Sequence, residues 1–269
     1  MRSNLIPVIS VFVFVLVISS ASAQNVSIGI RGGLTIPNLS AGGGANPLSQ
    51  GFSSIEGAGF GVFAEFKVSN LFSIQPMIEY SQQGGKRDGI QAIASIESIG
   101  VPAEAATQLA PINGDITPQY IDADVKNKAK LDYLMLPVLA KFGWNLGKTK
   151  RWRVYADAGP FAGLLLSAKT ITSGTSQLYF YPDGTHPVLD EDYQPLSADL
   201  SETTNIKDET HKFNFGVEGN VGLAFKFKKH TLFIEGGGNY GFLNIQKDAA
   251  NGANRSGAAT IMLGYALTL

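Results

Sequence analysis

The chain has 269 residues, 31 glycines, no cysteine and a formal net charge of -1. Charged residues make up 16% of it, below the ~25% of an average soluble domain. The near-neutral balance gives no support for a nucleic-acid partner. The missing cysteine excludes disulfide scaffolds, thiolate metal sites and a lipid-modified N-terminal cysteine.

Arg2 is followed by the apolar run Leu5 to Ile18 and then by Ala21-Ser22-Ala23. A basic start, an apolar middle and a small-residue cleavage site predict a secretory signal over residues 1–23, with the mature chain, 24–269, beginning at Gln24. An N-terminal membrane helix is the alternative, but the run is short for the ~20 residues that span a bilayer. No later stretch approaches ~18 consecutive apolar residues, so the mature chain has no spanning helix.

Val26 to Ile36 alternates Val26, Ile28 and Ile30 against Ser27, Gly29 and Arg31, and reads as the first strand. Pro37 to about Gly57 is rich in Gly, Ser and Asn and reads as a long loop. Gly59 to Val68 is the second strand, with Phe60, Val62, Ala64 and Phe66 on one face and Gly61, Phe63, Glu65 and Lys67 on the other. After the turn Ser69-Asn70, the third strand runs from Leu71 to Gln82 with Phe72, Ile74, Ile78 and Tyr80 on its apolar face. Pro76 interrupts it, and proline removes a ladder hydrogen bond, which predicts a bulge there. Gln83 to about Asn127 is a second long excursion, where Ile90, Ile93, Ala94 and Ser98 to Glu104 admit a short helix.

Lys128 to Phe142 is the fourth strand and Arg151 to Ala168 the fifth, joined by a polar turn flanked by Trp144 and Trp152. Lys169 to His211 is a third long excursion, acidic around Asp190-Glu191-Asp192. The sixth strand, Lys212 to Phe227, has the clearest alternation. Phe213, Phe215, Val217, Val221, Leu223, Phe225 and Phe227 oppose Lys212, Asn214, Glu218, Asn220 and Lys226. Its apolar face has rings at both ends and plain hydrocarbon or glycine between, the layout of a strand crossing a bilayer. The turn Lys228-Lys229-His230 leads to the seventh strand, Thr231 to Ile245, and a polar loop leads to the eighth, Gly257 to Leu269.

Eight two-faced strands joined by connections that run long, short, long, short, long, short, medium predict an all-β fold. It is an antiparallel up-and-down transmembrane β-barrel with short periplasmic turns, long extracellular loops and both termini periplasmic. A soluble barrel would turn its apolar faces inward. Here those faces carry almost no charge, and aromatics cluster near the strand ends, at Phe72, Phe142, Trp144, Trp152, Phe225, Phe227 and Tyr265 low and at Tyr80, Phe213, Phe215 and Tyr240 high. These are the expected interfacial rings.

The inward set contains Glu65, Glu79, Asp157, Glu218 and Glu235 against Arg31, Lys67, Lys141, Arg153 and Lys226. An eight-stranded barrel has an interior just wide enough for side chains to fill. Charges buried there must be paired or solvated. The expectation is a plugged lumen held by ion pairs; a narrow ion path is the alternative.

Gly57-x-Gly59-x-Gly61 and Gly236-Gly237-Gly238 precede no helix, so they offer a phosphate no helix N-terminus. His186, near Asp183, Asp190 and Asp192, and His211 are the candidates for chemistry at a loop rim. A loop histidine beside acids is ordinary surface composition, and the acidic run reads as a solvated loop before a weak Ca²⁺ site. No catalytic, cofactor or metal site is expected.

The motifs YLMLPVLAKF from Tyr133, YADAGPFAGLLL from Tyr155, YGFLNI from Tyr240 and the closing IMLGYALTL resemble, in order and spacing, the PorT-type outer-membrane β-barrel domain family, abundant in the Gram-negative Bacteroidota. The resemblance extends from about Val26 to Leu269 and is weakest in the long loops. It implies an eight-stranded barrel in the outer membrane, surrounded by outer-membrane lipid, and no general catalytic signature. Many outer-membrane barrels end in an aromatic residue read by the assembly machinery; here the last residue is Leu269 and the nearest ring Tyr265. The expected function is non-enzymatic: a sealed barrel displaying long loops to a protein partner or extracellular ligand, for binding, envelope integrity or a secretion assembly. A small channel or transporter is the alternative.

Overall fold

The computed structural model describes residues 26–41, 46–96, 119–189, 192–248, 250 and 252–269. The predicted signal over 1–23, the segment Ser98 to Glu104 and the acids Asp190 and Glu191 lie outside them.

Eight long strands close into a ring. They are β1 (Val26–Ala41), β2 (Gly57–Lys67), β3 (Phe72–Ser95), β4 (Tyr120–Leu146), β5 (Trp152–Ser173), β9 (Phe213–Phe227), β10 (His230–Gly241) and β11 (Asn254–Thr268). Every neighbouring pair is antiparallel, and β1 closes on β11 from Ser27↔Thr268 to Ala41↔Asn254. Closure leaves the ring no free strand edge, which a lipid environment demands because it offers backbone groups no partner.

The alternation read from the sequence sets the two faces. On β9, Val217, Val221 and Leu223 face outward while Asn214, Glu218 and Asn220 are buried inside. Val221 is 65% exposed and Glu218 4%. This is the inside-out arrangement of a barrel whose exterior meets hydrocarbon. From Phe72 to Tyr80 the outward face of β3 is unbroken by charge. Those residues cover about 26 Å along the strand, or about 20 Å of height at the usual tilt, close to the ~25 Å apolar band of such barrels. Above it come Gln82 and Asp132, with the Tyr80 hydroxyl donating to Asp132 at 2.7 Å.

The short turns lie at one end. In the first, Ser69 Oγ accepts from the amides of Leu71 and Phe72. In the third, Phe227 pairs with His230 and Lys228 takes a left-handed φ of 54°. Val26 and Thr268 lie at this same rim, beside Phe66 and Ser27.

The long excursions differ from their reading as loops. β3 and β4 continue past the apolar band as one paired ribbon, with Gln83↔Leu131, Arg87↔Asn127 and Ala92↔Asp122. Ile90, Ile93 and Ala94, read as part of a short helix, belong to this ribbon. The third excursion contains β6 (Thr175–Tyr179), β7 (Ser197–Asp199) and β8 (Glu202–Asn205), which pair onto the tops of β4, β6 and β5. The first carries a short 3₁₀ turn, Pro47–Ser49, whose Asn46 side chain accepts from Leu48 N. β10 stops at Gly241, and Ile245 instead buries its side chain in the barrel's upper core.

The bulge expected at Pro76 is absent. Phe63↔Met77 and Phe66↔Ile74 keep one register on one flank, as do Pro76↔Val138 and Glu79↔Met135 on the other. The ladder skips a few pairs there instead, because Pro76 and Pro137 both lack an N–H. The register shifts fall higher, between Ala92 and Ala94 and between Asp132 and Tyr133.

Candidate functional site

The lumen is the place where functional chemistry converges, and it is built in layers. Arg31 occupies its centre. From β1 its guanidinium Nη1 donates to Glu235 Oε1 of β10 at 2.7 Å and Nη2 to Glu218 Oε1 of β9 at 2.6 Å. Nε donates to Glu79 Oε2 of β3 at 2.9 Å, and Nη2 also pairs with Glu79. One planar fork on β1 therefore reaches β3 on one side and the neighbouring β9 and β10 on the other, a geometry that lysine's point charge does not reproduce. Asn220 Nδ2 extends the layer by donating to Glu218 Oε1 at 3.0 Å and Asp157 Oδ1 at 2.9 Å. The Tyr155 hydroxyl donates to Glu235 Oε2 at 2.7 Å.

Two apolar plates enclose this layer. Toward the short turns, Phe63, Met77, Leu139, Tyr155, Ala224, Phe233 and Ala266 pack together. Toward the loops, Leu39, Leu131, Tyr133, Met135, Phe161, Leu165 and Ile245 do the same. The large rings fit because glycines face them: a Cβ on Gly264 would fall inside the Phe233 ring, and one on Gly222 would meet Tyr155. Phe63 is read from the sequence as inward-facing, but neither it nor Tyr133, Met135, Leu139 and Tyr155, which share the parity of the inward charges Lys141, Arg153 and Asp157, is identified there as a filling. Their parity was the available signal.

Below the lower plate the short-turn mouth opens as a cavity of about 150 Å³. Lys67, Lys141, Arg153, Lys226 and Lys228 line it with Glu65. Lys141 Nζ lies 3.4 Å from Glu65 Oε2 and donates to Gln75 Oε1 at 3.0 Å. Ser73 Oγ donates to the other oxygen of Glu65 at 2.8 Å.

The ten predicted lumen charges thus separate by height. Glu79, Glu218 and Glu235 surround Arg31 in the middle, and Asp157 joins them through Asn220 while standing opposite Lys141 in the β4–β5 register. Lys67, Lys141, Arg153 and Lys226 gather with Glu65 at the mouth. The even count of acids and bases does not become five ion pairs. Lys67, Arg153, Asp157 and Lys226 form none with another described residue. Lys67 is exposed at the rim and Lys226 half-buried.

The predicted rings stand on the outer surface. Phe72 and Phe142 pack at 4.9 Å between centroids, Trp152 and Phe225 at 4.9 Å, near the short-turn rim. Trp144, Phe227 and Tyr265 lie at the same end, Tyr265 with its hydroxyl 2.6 Å from His230 Nδ1. At the opposite edge Tyr80 stacks on Phe60 at 4.8 Å, and Phe213, Phe215 and Tyr240 are exposed.

His186 and His211 do not converge. His186 contacts Thr185 Oγ1 at 2.9 Å, and Thr185 donates to Asp183 at 2.6 Å, all within one exposed turn. The hydrogen bonds to Thr185 hold the Asp183 carboxyl below its usual range. His211 sits on another loop, its amide donating to Ile245 O. Among the described residues no group of three His, Cys, Asp or Glu is arranged to hold a metal.

A closed ring, an apolar exterior between two rows of aromatics and a packed polar interior define a transmembrane β-barrel. A family model described as "Outer membrane protein beta-barrel domain" matches residues 22–247, and the chain belongs to that family. It is a protein of the outer membrane. A search of curated proteins finds no match.

Among solved structures, the chain is similar to Neisserial surface protein A at 8% identity, over 90% of this chain and 97% of that one, with a TM-score of 0.39. It is similar to Ail of Yersinia pestis at 11% identity, over 90% and 98%, with a TM-score of 0.32. The outer membrane protein OprG from Pseudomonas aeruginosa follows at 10% identity, over 91% and 98%, with a TM-score of 0.36.

Proposed function

We infer that the protein is a non-enzymatic outer-membrane barrel whose lumen is sealed and whose loop end is displayed to the medium. The observation that carries this reading is the Arg31 fork, which ties Glu79, Glu218 and Glu235 together between two apolar plates. A buried charge network of this kind is costly to break, because removing one partner strands the others without solvent. A conducting path would have to break it.

In this reading the short turns and both termini face the periplasm, reached by export through the signal at residues 1–23. The ribbon of β3 and β4 and the small strands β6 to β8 stand outside, where they are available to a ligand or protein partner. The PorT-type resemblance makes a secretion assembly one such setting. Planar-bilayer recording tests the seal. Closed traces with rare, brief openings are expected; a large steady conductance would reject the sealed barrel.

A small channel is the second reading, favoured by cavities entering from both ends, of about 150 Å³ at the short turns and about 330 Å³ at the loops. The same recording separates the two.

A further inference from the structure

The cations of the short-turn mouth are not accounted for by sealing. Glu65 is the carboxylate lining this cavity among the described residues, and Lys141 engages it. Lys141 is occupied on its other sides by Gln75 and by the Tyr155 ring. That leaves Lys67, Arg153, Lys226 and Lys228 around one small polar space, none of them ion-paired with a described carboxylate.

Arg153 is the decisive member. It is 5% exposed, and its Nε and Nη2 have no hydrogen-bond partner. Its guanidinium lies over Gly143, where a Cβ would collide with it, so the wall of β4 is shaped to receive it. The one carboxylate near it in this cavity, Glu65, is already engaged by Lys141, so a buried guanidinium with unmet donors and three further cations leave an excess of positive charge that a bound anion would offset. The hydroxyls of Ser27, Thr231 and Thr268 line the same cavity and add neutral donors.

We propose that this mouth is a binding site for a phosphate-class oxyanion, held by the Arg153 guanidinium with Lys67, Lys226 and Lys228. An arginine fork offers two parallel donors to a tetrahedral oxyanion, and lysines supply point charge around it. The cavity of about 150 Å³ admits a group of phosphate size and excludes a folded protein segment. The oxyanion is either free or carried on a lipid headgroup. The mouth lies at the height of Trp152 and Phe225, the level of the membrane interface, so both sources are within reach.

The test uses the mature chain folded in uncharged maltoside micelles. Inorganic phosphate is titrated calorimetrically in one arm and dihexanoyl phosphatidic acid in the other. Saturable binding that weakens as salt rises is expected. Arg153→Gln, and separately Lys67→Gln with Lys226→Gln, should each weaken it by about tenfold or more. Lys148→Gln with Lys150→Gln, on the short turn between β4 and β5 and outside the cavity lining, should leave it unchanged. Binding of inorganic phosphate identifies a free oxyanion, and binding of phosphatidic acid alone identifies a headgroup. Saturation by neither ligand, or binding that the Arg153 and lysine variants leave at wild-type strength, overturns the proposal. Should Arg153→Gln fail to fold, the double lysine variant, altered nearer the rim, carries the comparison. The outcome is independent of the conductance recording, since an anion can occupy the mouth of a sealed or an open barrel.

Discussion

Lys141 holds its Nζ 4.0 Å from the centre of the Tyr155 ring. The same tyrosine donates its hydroxyl to Glu235. Tyr155 therefore touches the cationic mouth with its face and the acidic layer with its edge, and it is the wall between them. The two contacts can be separated by mutation. Tyr155→Phe keeps the ring and deletes the hydroxyl, leaving one oxygen of Glu235 without its donor at a cost of about 1–3 kcal/mol. Tyr155→Leu also removes the ring from Lys141 and should cost more. Urea unfolding of the barrel in vesicles, followed by the heat-dependent gel shift of folded barrels, checks the order.

Removing Arg31 should be the most damaging single change in the lumen. Arg31→Ala strands Glu79, Glu218 and Glu235 together in a buried layer, a loss of about 3–5 kcal/mol. Arg31→Lys should recover part of this, since one ammonium cannot replace a fork that reaches three carboxylates. The quadruple variant with Arg31→Met, Glu79→Gln, Glu218→Gln and Glu235→Gln removes the charges together and should be closer to wild type than Arg31→Ala alone. If Arg31→Ala unfolds at the wild-type urea midpoint, the fork does not hold the barrel together.

The outer half of this architecture was legible in the sequence because lipid imposes one rule on every outward position. Val217, Val221 and Leu223 had to be apolar, and period two exposed them at once. The inner face obeys no such rule. It accepts a charge beside a partner or a ring over a glycine, so the parity of Tyr133, Met135 and Leu139 marks their face but not what they do there. The separation of acids from bases was hidden for another reason. Height along the barrel axis depends on register and stagger, which no single strand encodes. The ribbon of β3 and β4 was missed because Gly84-Gly85-Lys86-Arg87-Asp88-Gly89 looks like a loop. Backbone ladder bonds pair it with residues from Val125 to Lys130. Above the membrane both faces can meet water, and alternation is no longer required.

The contact between Gly264 and Phe233 predicts a coupled pair. Gly264→Ala places a methyl where the ring now lies, and overpacking of this kind costs about 1–3 kcal/mol. Phe233→Leu shortens the side chain and makes room. The double variant should be more stable than the sum of the single losses, with a coupling of about 1 kcal/mol. Strict additivity in a double-mutant cycle would show that the ring evades the methyl without cost.

The apolar band predicts depth-dependent sensitivity to charge. Val221 lies near the middle of β9's outward face and Leu71 at the short-turn rim. Val221→Arg should cost about 2–4 kcal/mol in vesicles, and Leu71→Arg no more than about 1 kcal/mol. Trp144 and Trp152, the chain's two tryptophans, report the same band without mutation. Bromine placed on lipid chains near the headgroup should quench them more strongly than bromine at the chain ends. Equal costs at Val221 and Leu71, with quenching indifferent to depth, would place the band elsewhere.

Sidedness can be read on a clean background because the chain has no cysteine. Tyr193, between β6 and β7, is 82% exposed and far along the chain from any ring strand. Lys148 lies in the turn between β4 and β5 at the opposite end. With the short turns in the periplasm, Tyr193→Cys in intact cells should react with a maleimide too large and charged to cross the outer membrane. Lys148→Cys should react only after that membrane is permeabilised. Neither change touches the Arg31 layer or the aromatic rows, so both variants should assemble. The reverse pattern of labelling would invert the barrel, and it would put the cationic mouth rather than the strand ribbon in contact with the medium.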